Sequence, residues 1–358
     1  MKTIFFIIDT LEAGGSERVL SELSNFLSKK YKIFLITISQ PRKVKDFYLL
    51  NKNIKRIRIY ENFKNENFLI KIFRFIILLN KLNKIIIKEK PKACISFLTF
   101  SNLLNIFCSL IYKNSKCIIS ERINPKLIKK NFIYNILSFI FYRFANALIV
   151  QSKSIKNSLK NYNKNIKIIY NHVRSIKNTK KYNLKTINFL SISRLDHQKN
   201  IFFLIKSFSY LIHYNKNFKL DIIGDGPLKK KIKIFIDNLK VSKNIKLLGI
   251  KNNVEKNLRN SKFYIHTALT EGMSNALLEA MSSNVPCIIL KHHSQHEFFK
   301  NGENCFILDT SKEKKFSKKV LEIAKMKQKK IDKLINRAKN SINKINIKKI
   351  ALKWENLI

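Results

Sequence analysis

The sequence predicts an α/β fold built from two similar domains, each with a parallel sheet and crossover helices. Three observations lead to this prediction. The chain has 358 residues, enough for two domains at roughly 150 residues each. Short apolar runs alternate with helical patterns through both halves, as in parallel strands joined by helices. A polar, lysine-rich stretch at 174–186 separates the two series of runs.

The first series defines a domain over residues 1–173. Its predicted helices include 16–29 and 68–88. Its predicted strands lie at 3–9, 33–38, 54–60, 93–97, 117–120, 147–150 and 166–170. The first apolar run meets Asp9 at once, and no convincing small-residue cleavage site follows it, so we expect a strand there rather than a signal peptide.

The second series follows the predicted linker at 174–186 and defines a domain over 187–341. Its predicted strands lie at 187–193, 218–224, 245–249, 262–266, 286–290 and 305–308. A last helix over 342–358 is short of partners in its own domain, and we expect it to pack back across the first domain. No run reaches 18 uninterrupted apolar residues, so a membrane-spanning helix is not expected.

The charge balance is strongly basic. Lys and Arg number 71 against 23 Asp and Glu, a net charge of +48, which suggests a polyanionic partner such as nucleic acid or an anionic membrane. The basic residues are spread almost evenly, which favours compositional drift and disfavours nucleic acid as a partner. Five cysteines without a C-x-x-C spacing predict unpaired thiols in a reducing cytoplasm.

The loop after the first strand contains Gly14 and Gly15, directly before a helix that begins near Ser16. Adjacent glycines let backbone N–H groups approach a ligand, and a helix N-terminus favours a phosphate or a polar sugar. An ordinary strand-to-helix turn is the alternative. The stretch is not G-x-G-x-x-G, which disfavours a dinucleotide-dependent dehydrogenase.

Two cations follow the first strand of the second domain. Arg194 and Lys199 lie on one loop at a strand's carboxyl end, where ligands bind in open α/β sheets. Together they would clamp a diphosphate, although chance cations are common in so basic a chain. Asp196 or Asn200 would cap the next helix. The turn GDGPL at 224–228 follows the next strand, and its glycines permit close backbone approach.

Two of the rare acidic residues lie in the segment 270–281. Glu271 lies in a loop, Ser274 is a candidate N-cap, and Glu279 lies on the helix that follows. The carboxylates would accept hydrogen bonds from sugar or ribose hydroxyls, and the backbone N–H groups of 272–275 would meet phosphate. Two solvated glutamates are the alternative.

This ordered set of motifs resembles the retaining glycosyltransferases of family 4, which have the GT-B fold, and the similarity covers essentially the whole chain. The resemblance implies two Rossmann-like domains that face a central cleft, with a nucleotide sugar held mainly by the second. By the resemblance, Arg194, Lys199 and Glu271 are the catalytic residues: the cations stabilise the leaving diphosphate and Glu271 contacts the donor sugar. It further implies that the loop 249–254 flanks the base. The donor-binding candidates are Gly15, Gly224, Asp225, Gly226, Gly272, Met273, Ser274, Asn275 and Glu279, the last of them at the ribose.

The acceptor side is expected in the first domain. Many relatives carry a His in the loop that matches 119–125, where this chain has Arg122. Glu121 and Arg122 therefore become acceptor-side candidates, together with Gly14.

We expect no metal and no cofactor. The sequence has no D-x-D pair to carry a divalent metal, so Arg194 and Lys199 are its natural substitutes at the diphosphate. The i, i+4 spacing of His292 and His296 suggests a metal site, but no distant third ligand can be named and a structural or donor-adjacent role is favoured.

The segment 68–88 has a long apolar face with Lys and Arg. It is predicted as a core crossover helix, and an interfacial helix on an anionic leaflet is the alternative. The aromatic-rich segment 132–144 would contribute to the same surface.

The expected function is transfer of a hexose or N-acetylhexosamine from a nucleotide sugar, UDP-linked, to a lipid-linked oligosaccharide or a surface glycan. The expected location is the cytoplasm, at the inner face of the cytoplasmic membrane. The alternatives are a GT-B nucleotide-sugar epimerase, an inactive sugar-binding relative and a basic nucleic-acid-binding protein.

Overall fold

A computed structural model describes residues 1–41, 43–59, 68–122, 132–173, 187–251, 253–291 and 297–358. The chain divides into two compact units. Unit 1 comprises Met1–His172 and Ile347–Ile358, and unit 2 comprises Val173–Asn346. The predicted linker at 174–186 lies outside the described residues.

Unit 1 is built around a parallel sheet in the order β3-β2-β1-β4-β5-β6-β7. Its strands are β1 (Thr3–Ile8), β2 (Lys32–Thr37), β3 (Lys55–Arg58), β4 (Ala93–Phe97), β5 (Lys116–Ser120), β6 (Ala147–Val150) and β7 (Ile166–Ile168). Its helices are α1 (Gly15–Leu27), α2 (Phe68–Glu89), α3 (Thr99–Ile111), α4 (Phe132–Phe141) and α5 (Lys153–Ser158), and a 3₁₀ turn covers Tyr142–Phe144. The strand order reverses between β1 and β4.

Unit 2 repeats this plan with a sheet in the order β10-β9-β8-β11-β12-β13, again parallel. Its strands are β8 (Asn188–Ile192), β9 (Lys219–Ile223), β10 (Ile245–Leu247), β11 (Phe263–His266), β12 (Cys287–Leu290) and β13 (Phe306–Leu308). Its helices are α6 (Ile201–Tyr214), α7 (Lys229–Asn238), α8 (Glu255–Arg259), α9 (Asn275–Ser282), α10 (Glu313–Ala324) and α11 (Gln328–Asn343). The strand order reverses between β8 and β11, so the structure confirms the predicted α/β class with two parallel sheets.

The strands are continuous apolar runs because helices cover both faces of each sheet. In β1, every residue of Ile4–Ile8 is buried, and the ring of Phe5 lies 4.9 Å from that of Phe34 on β2. The core of unit 2 is similar: Phe189 on β8 stacks on Phe263 of β11, with ring centroids 5.5 Å apart.

The single helix predicted over 342–358 is interrupted in the structure. Helix α11 ends at Asn343, and α12 (Ile347–Glu355) begins after a short break. The backbone in the break pairs elsewhere: Val173 donates its N–H to the Ile345 carbonyl at 3.1 Å. Helix α12 packs against α1, and Trp354 stacks on Phe97 with ring centroids 5.6 Å apart, so the carboxyl-terminal helix belongs to unit 1. Within the described ranges, no helix is both long and apolar enough to cross a bilayer.

Candidate functional site

The clearest cluster of candidate residues lies in unit 2, where the strand order reverses between β8 and β11. Ligands of open α/β sheets bind at such reversals, outside the carboxyl ends of the strands. The two loops that leave these strands are tied together through Gln198. Its side-chain amide donates to the Thr270 carbonyl at 2.8 Å, and its own carbonyl accepts from Leu269 N–H at 2.8 Å.

Lys199 and Glu271 face each other across this reversal. Lys199 Nζ donates to Glu271 Oε2, and the two side chains are only 16% and 19% exposed. Partial burial strengthens a pair of charges relative to water. The structure therefore brings together two of the three residues that were predicted to be catalytic.

Asp196 organises the loop that carries both cations. Its Oδ1 accepts from the backbone N–H of Lys199 at 3.2 Å, so it caps the 3₁₀ turn His197–Lys199, as one of the sequence alternatives expected. Its Oδ2 accepts from Arg194 Nε at 2.6 Å. The Arg194 side chain is 70% exposed and does not join the contact between Lys199 and Glu271.

His266 is a site residue that the sequence analysis missed. It is the last residue of β11, its side chain is 5% exposed, and its Nε2 lies 3.6 Å from Glu271 Oε2. The signal in the sequence was a histidine at the carboxyl end of a predicted strand, where ligands bind in open α/β sheets. The strand was predicted to end at 266, but His266 was assigned only a structural place in it.

The two glycines of the GDGPL turn serve backbone packing. Gly224 has a φ of +138°, and a Cβ there would lie 1.9 Å from the Ser193 carbonyl oxygen. A Cβ on Gly226 would lie 2.5 Å from the Leu195 carbonyl oxygen. Asp225 accepts from Lys229 Nζ at 2.6 Å, and this contact and the Gly226 N–H hold the Asp225 pKa below its usual value. The turn thus supports the loop that carries Arg194.

The N-terminus of α9 forms another part of the unit-2 site. Ser274 is its N-cap, and the hydroxyl accepts from Leu277 N–H at 3.4 Å. Met273 and Ser274 are buried. Gly272, Asn275 and Glu279 are half-buried, so of the predicted donor-binding residues around α9 these three present more surface to a ligand.

Unit 1 has carboxylates at its own strand reversal, between β1 and β4. Ser101 Oγ, in the first turn of α3, donates to Asp9 Oδ1, which follows β1. Burial raises the pKa of Asp9, although the Ser101 hydrogen bond and the charge of Arg74 oppose the shift. From the sequence, Asp9 was expected only to end the first apolar run.

Gly14 and Glu17 meet at the start of α1. Gly14 is the N-cap of the helix, Gly15 is its first residue, and a Cβ on Gly14 would lie 2.0 Å from Glu17 Oε2. The carboxylate therefore folds back over the helix N-terminus. Burial raises the pKa of Glu17, with smaller contributions from the charges of Asp9 and Glu12 and an opposing one from Arg122.

Glu121, predicted on the acceptor side, is buried within unit 1. Its Oε2 accepts from the Tyr142 hydroxyl at 2.7 Å and from Thr99 Oγ1 at 3.1 Å, and its Oε1 accepts from the Arg122 N–H at 3.2 Å. Burial and the Glu121 charge raise the pKa of Tyr142 well above its usual value. These contacts make Glu121 a support for the loop that carries Arg122.

Arg122 is also buried, and its guanidinium lies 4.0 Å above the Phe97 ring. Nη1 donates to Asn171 Oδ1 at 3.0 Å. Burial lowers the Arg122 pKa to about 9, against the raising effects of Glu121 and Glu17. Arg122 is therefore a buried cation that Phe97 and Asn171 hold in place.

Some predicted features lie outside the described residues: the loop residues 123–125, Asn252 of the loop near the base, and both His292 and His296. In the part of the chain that the structure describes, no three His, Cys, Asp or Glu side chains are grouped as metal ligands. The expectation of a metal-free site stays a prediction.

Comparison with known proteins adds sequence and fold matches. Residues 172–341 match the family model described as "Glycosyl transferases group 1". The chain is 33% identical over 262 residues to an uncharacterized glycosyltransferase of Methanocaldococcus jannaschii; the match covers 63% of this chain and 62% of the relative, less than two thirds of its length.

A second relative matches end to end. It is the GalNAc-α-(1→4)-GalNAc-α-(1→3)-diNAcBac-PP-undecaprenol α-1,4-N-acetyl-D-galactosaminyltransferase of Campylobacter jejuni, 27% identical over 366 residues, with coverage of 100% of this chain and 98% of the relative. Among solved structures, a mutant of S. aureus TarM in complex with fondaparinux, α-GlcNAc-glycerol and UDP has a TM-score of 0.83 at 15% identity. The structural match covers 100% of this chain and 99% of that one, and at this identity it bears on the fold.

Proposed function

We propose that this chain, which has the GT-B fold, is a glycosyltransferase that transfers a hexose or N-acetylhexosamine from a UDP-linked donor, with retention of configuration, to a lipid-linked oligosaccharide or surface glycan. The observation that carries the proposal is the pairing of Lys199 with Glu271 at the strand reversal of unit 2. The C. jejuni relative's name supplies the acceptor class, and UDP is among the ligands of the TarM structure.

The donor site supplies charge where the reaction develops it. Transfer breaks the bond from the anomeric carbon to a diphosphate oxygen and forms a bond to an acceptor hydroxyl oxygen, whose proton passes to the departing diphosphate or to solvent. Negative charge grows on the diphosphate as its bond breaks. Fixed cations stabilise that charge. Lys199 would leave Glu271 and bind the diphosphate, so that Glu271 can accept a hydrogen bond from a sugar hydroxyl. Arg194 would likewise leave Asp196 and bind the diphosphate.

The same two cations support a reaction without metal. In metal-dependent enzymes a divalent ion neutralises the leaving diphosphate, and here Arg194 and Lys199 would do so. Treatment with EDTA should leave the transfer rate unchanged. Loss of activity that added Mg²⁺ or Mn²⁺ restores would contradict this part of the proposal.

We place the acceptor sugar at the strand reversal of unit 1. Asp9 and Glu17 offer carboxyl groups whose raised pKa values suit hydrogen bonds with neutral hydroxyls, and Arg122 adds a fixed donor. Gly14 would allow close approach at the start of α1. Glu121 acts indirectly in this scheme, because it holds the loop that presents Arg122.

Unit 1 also carries a surface suited to an anionic leaflet on the cytoplasmic side. Helix α3 lies between α2 and α4: Phe107 on α3 is 5.3 Å from Phe75 and 4.6 Å from Phe141, measured between ring centroids. We call the exposed apolar side chains of α4 and of the first half of α2 the apolar face: Ile72, Phe73, Ile76, Phe132, Ile133, Ile136, Phe139 and Ile140. Lys71, on α2, and Arg143, in the 3₁₀ turn after α4, are exposed cations of the same segments. Apolar insertion beside positive charge is how peripheral proteins bind anionic membranes.

A thermal-shift panel tests the donor first. UDP, GDP, ADP and their sugars are compared, and selective stabilisation by UDP and UDP-sugars is expected. Transfer to a diphosphate-linked lipid oligosaccharide is then measured with a radiolabelled donor. Consumption of the donor without any acceptor would indicate an epimerase instead, and stabilisation by none of the nucleotides would contradict the proposal.

A further inference from the structure

His266 is the group in the unit-2 site whose role the proposed reaction leaves open. Its Nε2 lies 3.6 Å from Glu271 Oε2, the same oxygen to which Lys199 Nζ donates. One carboxylate oxygen therefore faces two basic side chains, one from the turn after β8 and one from the end of β11. If Lys199 moves to a diphosphate, His266 stays beside Glu271.

The two basic groups differ in how firmly they are held. His266 ends β11 and pairs in register with Ile289 of β12. Its ring stacks against Tyr264, with centroids 6.5 Å apart, and the Tyr264 hydroxyl donates to the Ile192 carbonyl at 3.1 Å. Lys199 reaches the carboxylate through a flexible four-carbon side chain. A diphosphate would therefore displace Lys199 far more easily than His266.

We propose that His266 is a positioning residue that holds Glu271 Oε2 once Lys199 has moved to the donor diphosphate. The inference rests on the proposed function, since it requires a nucleotide-sugar donor. The present separation is about 0.4 Å beyond the usual hydrogen-bond range, so a small rotation of the Glu271 side chain closes it. With His266 in place, Glu271 keeps the orientation in which its other oxygen meets a sugar hydroxyl.

The test compares two ligands that differ only in the sugar. Dissociation constants for UDP and UDP-N-acetylgalactosamine are measured by calorimetry on the full chain and on His266→Leu. Affinity for UDP should stay within twofold, because Lys199 and Arg194, and not His266, bind the phosphates. Affinity for the sugar nucleotide should fall about tenfold, the effect of one lost hydrogen bond to a charged group.

Two further variants separate positioning from a structural role. His266→Gln keeps an N–H donor and should recover most of the affinity for the sugar nucleotide; it also replaces His266→Leu if the latter does not fold. His213→Gln removes an exposed histidine on α6, whose Nδ1 lies 2.7 Å from the Ser209 carbonyl, and should change neither dissociation constant.

A double-mutant cycle with Glu271→Gln decides whether the two residues act through one contact. With the carboxylate gone, His266→Leu should cost less than a further twofold in sugar-nucleotide affinity. Equal losses for UDP and its sugar, or full additivity with Glu271→Gln, would overturn the inference. A wild-type chain that binds the sugar nucleotide but transfers nothing contradicts the proposed function alone, while one that binds neither ligand contradicts both.

Discussion

His172 Nε2 lies 2.9 Å from Glu22 Oε2, so a buried histidine ties the last residue of the first segment of unit 1 to helix α1. The His172 side chain is 1% exposed, and Arg18 pairs with the same glutamate one turn earlier. Burial raises the pKa of Glu22, but the His172 hydrogen bond and the charge of Arg18 outweigh burial and lower the pKa to about 2.

This contact predicts how stability depends on pH. A carboxyl whose pKa is lower in the folded state stabilises the fold above its unfolded pKa, near 4.5, and the contribution is lost as the pH falls toward 2. The contribution at neutral pH is up to about 3 kcal/mol. Glu22→Gln should therefore lower the urea midpoint at pH 7 and flatten its decline between about pH 5 and pH 2.

Glu322→Gln provides the control for this measurement, because Glu322 is exposed and lies on α10 of unit 2. Its urea midpoint should follow that of the wild type at every pH. Equal pH profiles for Glu22→Gln and the wild type would show that the His172 contact contributes nothing.

The glycine at the start of the GDGPL turn makes a second prediction about stability. Gly224→Ala places a Cβ 1.9 Å from the Ser193 carbonyl oxygen at a φ of +138°. The clash involves backbone, which cannot move aside cheaply, so we expect a loss of about 3 kcal/mol or more in the free energy of unfolding. The measurement is urea unfolding followed by circular dichroism.

Gly249 is the matched position, since its φ is +66° but a Cβ there would meet nothing within 4 Å. Gly249→Ala should cost only the left-handed backbone, about 1–2 kcal/mol. If both variants lose the same stability, the packing of the turn against Ser193 is not what requires Gly224.

The strands were predictable because each is a local signal. Strands buried on both faces read as short apolar runs, and Ala93–Phe97 and Ala147–Val150 coincide with their predicted bounds. The predicted ends of the strands also placed Lys199 and Glu271 at the same edge of the sheet, although the two residues are 72 positions apart in sequence. Open α/β sheets place the loops of such strands together, so a general rule of topology sufficed there.

Long-range pairing explains what the sequence did not predict. Glu121 looked available on the acceptor side because its partner Tyr142 lies 21 residues away and no local pattern joins them. At the break before Ile347, the backbone pairs with Val173, which lies at the other end of unit 2. His266 was missed for a similar reason: its importance comes from Glu271 and Lys199, which approach it only in the fold.

Transfer activity should depend on both members of the Lys199 and Glu271 pair. Lys199→Ala removes a cation from the departing diphosphate, and Glu271→Gln weakens the contact with the sugar. We expect each to lower kcat/KM about 10²- to 10³-fold, the range for loss of one preorganised charge-stabilising group. Initial rates with a UDP-sugar donor and a lipid-linked acceptor measure this loss.

Lys230→Ala is the control for that experiment, because Lys230 is an exposed lysine on α7 of the same unit. Its rates should match those of the wild type. Unchanged rates in Lys199→Ala and Glu271→Gln would remove both residues from the site.

The apolar face should govern attachment to membranes. Phe132 is 77% exposed and Phe73 is 60% exposed, so neither contributes much to the core, and replacing each by Gln should leave the urea midpoint nearly unchanged. Each replacement removes a large ring that would enter the lipid boundary, so sedimentation with phosphatidylglycerol vesicles should weaken severalfold. Ile234→Gln on α7, with a side chain 59% exposed in unit 2, should bind vesicles like the wild type.

Salt screens the attraction of Lys71 and Arg143 for an anionic surface, so vesicle binding should also fall at high ionic strength. Binding should fall as well with uncharged phosphatidylcholine vesicles, which lack the negative surface charge. Equal weakening in all three variants would mean that general basicity, rather than the apolar face, holds the protein at the bilayer.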